Sequence, residues 1–320
     1  MTILPALKAS SAKAFVRQEQ PLFVDVSPDS KILVHYNATN ASAHEFPTMV
    51  LVHGLEGSSA SPYLLSLASK AVKVGFNTVR VNLRNCGGTI HLSPSLYNAG
   101  MSSDIVALLD YLSKTMSLRN FFLVGYSLGG NIVLKTAGEL GSNAVGRIAG
   151  VCAVSPAIDL SASIDSIECG LNRMYELRFM QGLRAKIKAK AKLYPERYDL
   201  RKLKHVRGLR SFDELFTAPD AGFTGADHYY HESSSIKVLE NIRVPTLIVA
   251  AQDDPIVPFA SFLSPKLQSR YITLLSPEHG GHGGFIQHRE EFNERLQTSD
   301  RLWADNRILE FCLEQAQIQQ

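Results

Sequence analysis

A serine, an aspartate and a histidine stand in this chain in the order and settings that nucleophilic catalysis needs. Gly125-Tyr126-Ser127-Leu128-Gly129-Gly130 places a serine between an apolar run, residues 121–124, and a run with helical spacing, residues 128–140. In a G-x-S-x-G turn between strand and helix the serine backbone is strained, and small residues two before and two after it avoid a clash, so that Oγ stands above the sheet. A serine hydroxyl is a poor nucleophile until a base takes its proton, and the expected partners follow as acid, then histidine. Ala251-Gln252-Asp253-Asp254-Pro255-Ile256-Val257-Pro258 follows the apolar run 246–250, and Pro277-Glu278-His279-Gly280-Gly281-His282-Gly283-Gly284-Phe285 follows the run 271–275.

Each loop offers two candidates. Asp254, directly before Pro-Ile-Val-Pro, is the expected orienting acid, with Asp253 a turn residue that bonds local backbone. His282 is the expected base ahead of His279, because glycines on both sides leave room for an exposed ring. His279 and His282 make a weak metal pair, since His-x-x-His in a glycine loop lacks the helical i, i+4 geometry of a zinc protease and has no evident third ligand. Neither a metal nor a cofactor is expected. His53-Gly54-Leu55-Glu56-Gly57 ends the apolar run 48–52. In this arrangement such a loop supplies one oxyanion donor and the residue after the serine the other, which points to the backbone N–H groups of Leu55 and Leu128.

Such loops must leave the same edge of a sheet. Residues 22–26 and 31–36 read as strands joined by Ser27-Pro28-Asp29-Ser30, an antiparallel leading pair. Further strands are expected at 48–52, 77–83, 121–124, 148–154, 246–250 and 271–275, and helices at 63–74, 101–112, 128–140 and 301–315. Continuous apolar strands alternating with helices give an α/β fold, a mostly parallel sheet with helices on both faces. Residues 157–239 interrupt that rhythm. They are expected to form a helical cap inserted within one domain spanning 1–320.

Composition sets the bounds. The chain has 320 residues, 45% hydrophobic and 20% charged, which excludes a disordered, collagen-like or coiled-coil protein. No apolar run approaches the ~18 residues of a membrane-spanning helix, and the N-terminal stretch lacks a secretory apolar core. Cys86, Cys152, Cys169 and Cys312 lie far apart with no CxxC pair, which fits a reducing, cytoplasmic setting. The net charge of +3 hides an asymmetry: residues 171–210 hold 13 Lys and Arg against 3 Asp and Glu. Arg184, Lys186, Lys188, Lys190 and Lys192, wrapped on a helix, cover most of its circumference and leave no clean apolar face. A solvated face is the expectation, with weak contact to anionic membrane surfaces as the secondary reading. No recognition motif for nucleic acid accompanies the charge, and nothing bears on oligomeric state.

These pieces together resemble the α/β-hydrolase superfamily and, more narrowly, its YheT-like branch. The narrower resemblance rests on His53-Gly54-Leu55 followed by Ser61-Pro62-Tyr63, on Asn82-Leu83-Arg84-Asn85-Cys86-Gly87-Gly88, on Tyr126-Ser127-Leu128-Gly129-Gly130-Asn131 and on Gly280-Gly281-His282. It rests also on a stretch with no catalytic residue: Phe212-Asp213-Glu214-Leu215-Phe216-Thr217-Ala218-Pro219, Gly222-Phe223, Tyr229-Tyr230 and Ser233-Ser234. It covers roughly residues 30–310 and departs at Asn85 where the branch usually has glycine, and no N-terminal anchor like that of the mammalian members is expected. The branch includes bacterial hydrolases, yeast medium-chain ester synthase/esterases and mammalian phospholipid hydrolases. The resemblance and the residues together imply a serine carboxylic-ester hydrolase for small-molecule acyl esters of short to medium chain. The same residues would serve acyl transfer to an alcohol, or a lipase acting at membranes, and a non-catalytic binding protein on this fold is the remaining rival.

Overall fold

The computed structural model describes residues 15–287, 296 and 300–318. Its sheet has eight strands: β1 (Gln20–Ser27), β2 (Ser30–Asn37), β3 (Pro47–Val52), β4 (Asn77–Val81), β5 (Arg119–Tyr126), β6 (Ile148–Val154), β7 (Thr246–Val249) and β8 (Ile272–Leu275). They lie in the order β1-β2-β4-β3-β5-β6-β7-β8. β1 and β2 pair antiparallel, β2 joins β4 antiparallel, and every later pairing is parallel. The expected leading pair and parallel body are both present, with boundaries shifted by a few residues.

Burial on both faces explains the apolar strands. Val50 and Val52 of β3 pack on one side of the sheet with Ile105, Leu108 and Ile132; Met49 and Leu51 pack on the other with Leu64, Leu67, Ile308 and Leu309. Helices α1 (Pro62–Lys73) and, at the C-terminal end, Trp303–Ile318 cover the second face, while α2 (Ser102–Met116) and α3 (Leu128–Leu140) cover the first. Strand side chains alternate between faces, so one sheet feeds two apolar layers.

Between β6 and β7 the chain leaves the sheet and forms α4 (Leu160–Ile167), α5 (Arg173–Leu193), a helical stretch over 209–220 with a π-turn at Asp213–Thr217, and α6 (Ala226–Ser233). The terminal helix Trp303–Ile318 is then α7. No helix among the described residues is long and apolar enough to cross a membrane.

Helix α5 corrects the expectation of a wholly solvated basic face. Its inward stripe is Glu176, Met180, Leu183, Ile187 and Lys190, a spacing of three to four residues. Lys190 is fully buried: its Nζ donates to Ile90 O at 3.3 Å and to Ser93 O. Burial pushes its pKa down to about 8. Lys186 reaches Glu56 at 2.6 Å. Lys188 and Lys192 alone of these lysines stay on the solvent side. The reason is reach: a lysine stem packs along apolar surface while its ammonium finds acceptors several ångströms away. Asn131 on α3 anchors the insertion's return. Its Nδ2 donates to Ala99 O at 3.0 Å and Ser233 O at 2.8 Å, and its Oδ1 accepts from Ser235 N at 2.8 Å.

Candidate active site

β5 runs directly into α3, and Ser127 is the joint. Its φ of +53° and ψ of −118° lie where side-chain-bearing residues rarely sit. Only missing Cβ atoms permit the turn: one on Gly125 would lie 2.2 Å from Gly129 O, and one on Gly129 would lie 2.4 Å from Val52 O. The serine N–H, which the helix cannot use, donates to Val154 O at 2.8 Å.

The loops after β7 and β8 converge on this turn. His282 Nε2 lies 2.9 Å from Ser127 Oγ, and His282 Nδ1 lies 2.9 Å from Asp254 Oδ2 and 3.2 Å from Oδ1. Asp254 Oδ1 also accepts from the N–H groups of Ile256 (2.8 Å) and Val257 (3.0 Å). Its side chain is 2% exposed and that of His282 14%. The Pro-Ile-Val-Pro run thus turns two amides back onto the carboxylate. A carboxylate held this way accepts from Nδ1–H and leaves the Nε2 lone pair toward Ser127 Oγ–H, a geometry that can move the serine proton onto the ring.

Asp253 does something other than the expected local turn. Its Oδ1 accepts from Gly280 N at 2.9 Å and Gly281 N at 2.8 Å, and its Oδ2 lies 3.4 Å from His279 Nδ1. It therefore ties down the loop that carries His282. Those amides and His279 hold its carboxyl below the ordinary carboxylate range against the opposing effect of burial. His279, 86% exposed, does not join Ser127.

The loop after β3 abuts the serine: a Cβ on Gly54 would lie 3.2 Å from Ser127 Cβ. Two tyrosines occupy the amides on either side of Leu55. Gly54 N donates to Tyr63 Oη and Glu56 N to Tyr97 Oη, each at 3.0 Å. Among the described residues no acceptor takes the N–H of Leu55 or of Leu128, the latter being the first amide of α3, which a helix leaves unpaired. Two free amides beside Ser127 are what a developing oxyanion needs.

The sequence places His53 at the head of the loop after β3 and gives its side chain no role of its own. In the structure it is fully buried, with Nδ1 2.7 Å from Gly54 O and Nε2 3.2 Å from the Leu83 amide. Burial holds its pKa down to about 4, so the neutral ring donates to Gly54 O and accepts from Leu83 N. It braces the loop after β3 against the segment that follows β4. Tyr63 and Glu56 stand in motifs read from the sequence and Tyr97 in none, but the contacts of all three went unread, because their partners come from separate loops. The segment after β4 is structural at Arg84, whose guanidinium makes two 2.7 Å bonds to Asp104. Burial pushes the Cys86 thiol up to about 11, which keeps it protonated.

Comparison with known proteins agrees with this architecture. Residues 47–289 match the model of the alpha/beta hydrolase fold family. The chain is 34% identical to YheT of Escherichia coli (strain K12), described as a candidate esterase, over 77% of this chain and 72% of that one. It is 30% identical to a monoacylglycerol lipase of Saccharomyces cerevisiae over 87% of this chain, and spans only 63% of that lipase's length. An esterase of Pyrococcus furiosus, Pf2001, superposes with a TM-score of 0.60 over 98% of both chains at 13% identity, a likeness of fold alone. The chain belongs to the α/β-hydrolase-fold family, in the branch that includes YheT.

Proposed function

We propose that this protein is a serine carboxylic-ester hydrolase acting on acyl esters of short to medium chain. The observation that carries the reading is the unbroken line of hydrogen bonds from Asp254 through His282 to a Ser127 held at positive φ. Ser127 Oγ attacks the ester carbonyl as His282 Nε2 takes its proton, and the carbonyl oxygen becomes an oxyanion facing the Leu55 and Leu128 amides. The intermediate collapses, the ester C–O bond breaks, and the imidazolium returns its proton to the departing alcohol. Water then repeats the sequence on the acyl-enzyme and releases the acid. Asp254 holds the tautomer and offsets the imidazolium charge throughout. The likeness to proteins described as an esterase and a monoacylglycerol lipase supports the same chemistry.

The chain-length reading rests on the insertion, which acts as a cap. It is docked on the loop after β3 through Lys186, whose Nζ donates to Glu56 at 2.6 Å, and on this reading it closes one wall of the acyl pocket. Each methylene buried in a bounded pocket adds about 0.8 kcal/mol until the pocket is full. A series of p-nitrophenyl esters should therefore show kcat/KM climbing and then falling, with its maximum at or below roughly ten carbons on that basis. A fluorophosphonate should label Ser127. A protein that turns over no ester and takes no label is a binding protein on this fold.

One observation favours a second reading, hydrolysis at a lipid surface. Leu171, just before α5, and Met174 and Leu177 in its first turns are 87%, 73% and 65% exposed, among Arg173 and Arg178. Asn172 in the same segment donates to Pro255 O at 2.5 Å, so this apolar stripe adjoins the acid loop. A rate that climbs through ~16 carbons and rises with anionic vesicles selects this reading over the first.

A further inference from the structure

We infer that Lys186 and Gly182 of α5 are positioning residues for the oxyanion loop, acting through Glu56, so that the docking of the insertion sets the catalytic amide of Leu55. The inference rests on the ester-hydrolase reading and adds residues to its machinery that lie outside the triad.

Glu56 follows Leu55 directly and has a φ of +55°, a left-handed conformation that costs energy in a residue with a side chain. Something must hold it there, and its carboxylate is gripped from two elements. Lys186 Nζ donates to Glu56 Oε1 at 2.6 Å, and Tyr97 Oη donates to the same oxygen at 2.7 Å. Tyr97 Oη in turn accepts from the Glu56 amide at 3.0 Å, so one hydroxyl binds both ends of the residue. Lys186 Nζ also stands 4.2 Å from the centre of the Tyr97 ring and 3.4 Å from Cys86 Sγ. Both charged side chains are largely withdrawn from solvent, where an ion pair with further hydrogen bonds is directional and costly to break.

The second grip is steric. Gly182 lies one helical turn before Lys186 on the same face of α5. A Cβ there would sit 2.3 Å from Glu56 Oε2 and 3.1 Å from Glu56 Cδ. Glycine is a poor residue for the interior of a helix of 21 residues. Here it opens the space in which the carboxylate lies. Glu56 is thus seated against Gly182 and capped by Lys186, while its backbone fixes the turn that presents Leu55 N–H. A shift of the insertion moves Glu56, and a shift of Glu56 rotates the peptide that carries the oxyanion donor. Displacements of about 1 Å at such a donor cost up to about 100-fold in rate.

The test compares Lys186→Met, Lys186→Arg and Gly182→Ala with the parent, using p-nitrophenyl butyrate and counting active sites by fluorophosphonate titration. Lys186→Met keeps the stem and removes the donor. Gly182→Ala favours the helix itself, so a loss of activity in it is not a loss of helix. Per titrated site, kcat should fall roughly 10- to 100-fold in Lys186→Met and Gly182→Ala. KM should stay within about 3-fold, and Lys186→Arg should recover part of the loss. Combining Lys186→Met with Glu56→Gln should cost little more than either alone, because both break one unit. A merely structural role would lower the melting temperature and the count of titratable sites while leaving kcat per site unchanged. If kcat per site in both Lys186→Met and Gly182→Ala stays within about 2-fold of the parent, the inference is overturned. If the parent itself shows neither turnover nor labelling, the hydrolase reading falls and takes this inference with it.

Discussion

The strand ends and the helical insertion both bury charged side chains, and they do so by different means. At the strand ends Asp254, His282 and Ser127 meet although Ser127 and His282 lie 155 residues apart. The sheet performs that convergence: β5, β6, β7 and β8 are neighbours in parallel register, so the loops after β5, β7 and β8 leave one edge together. In the insertion Lys186 and Lys190 meet Glu56 and Ser93 over separations of 130 and 97 residues with no such register to bring them there. Their meeting depends on how α5 is laid against the loops, and on the length of a lysine. A polar residue just after a strand therefore announces its neighbourhood, while a polar residue on an inserted helix does not.

The sharpest way to break this comparison is at the triad. Ser127→Ala or His282→Ala should lower kcat by about 10⁴- to 10⁶-fold, while His279→Ala, exposed and paired with Asp253, should stay within a few fold. Asp254→Asn should follow with a loss of roughly 10³- to 10⁴-fold in kcat, because the amide favours the wrong tautomer. Asp253→Asn should cost about 10-fold, since it loosens the amides of Gly280 and Gly281 without touching His282. Equal losses for the two aspartates in a steady-state assay would transfer the orienting role.

On the insertion side the expected effect is on stability. Lys190→Met should destabilise by about 1–3 kcal/mol in urea unfolding, because the buried Ser93 carbonyl and the half-buried Ile90 carbonyl lose their donor. Lys188→Met, on the solvent side of the same helix, should stay within about 0.5 kcal/mol. Equal effects would return α5 to the solvated face that its composition suggests.

The smallest effects separate the regions by pH. His53 is held at a pKa of about 4 against an ordinary value of 6.5, so between those values the unfolded chain binds more protons than the folded one. Its contribution is complete above 6.5 and is lost as pH falls toward 4. The ring should remain neutral at pH 5 by nuclear magnetic resonance. Lys190 is held at about 8 against 10.5, so by the same sign stability should rise as pH climbs from about 8 to 10.5. That rise should be missing in Lys190→Met, and its persistence there would assign it to another group.

Residue pattern alone determined the eight strands, the helices that alternate with them, and the serine turn. It placed the two late loops and their order, because parallel strands buried on both faces must be apolar throughout and a tight strand-to-helix turn must be small around its serine. It also favoured Asp254 over Asp253 from the Pro-Ile-Val-Pro that follows. Tertiary structure decided what each remaining polar group does. Asp253 bonds amides 27 and 28 residues away, His53 bridges Gly54 and Leu83, and Asn131 secures the insertion's return. Above all it turned Lys190 from a surface charge into a buried one and drew Lys186 largely out of solvent. Periodicity reports which face of an element is apolar; it carries no record of which distant carbonyl or carboxylate a long side chain will reach once that face is packed.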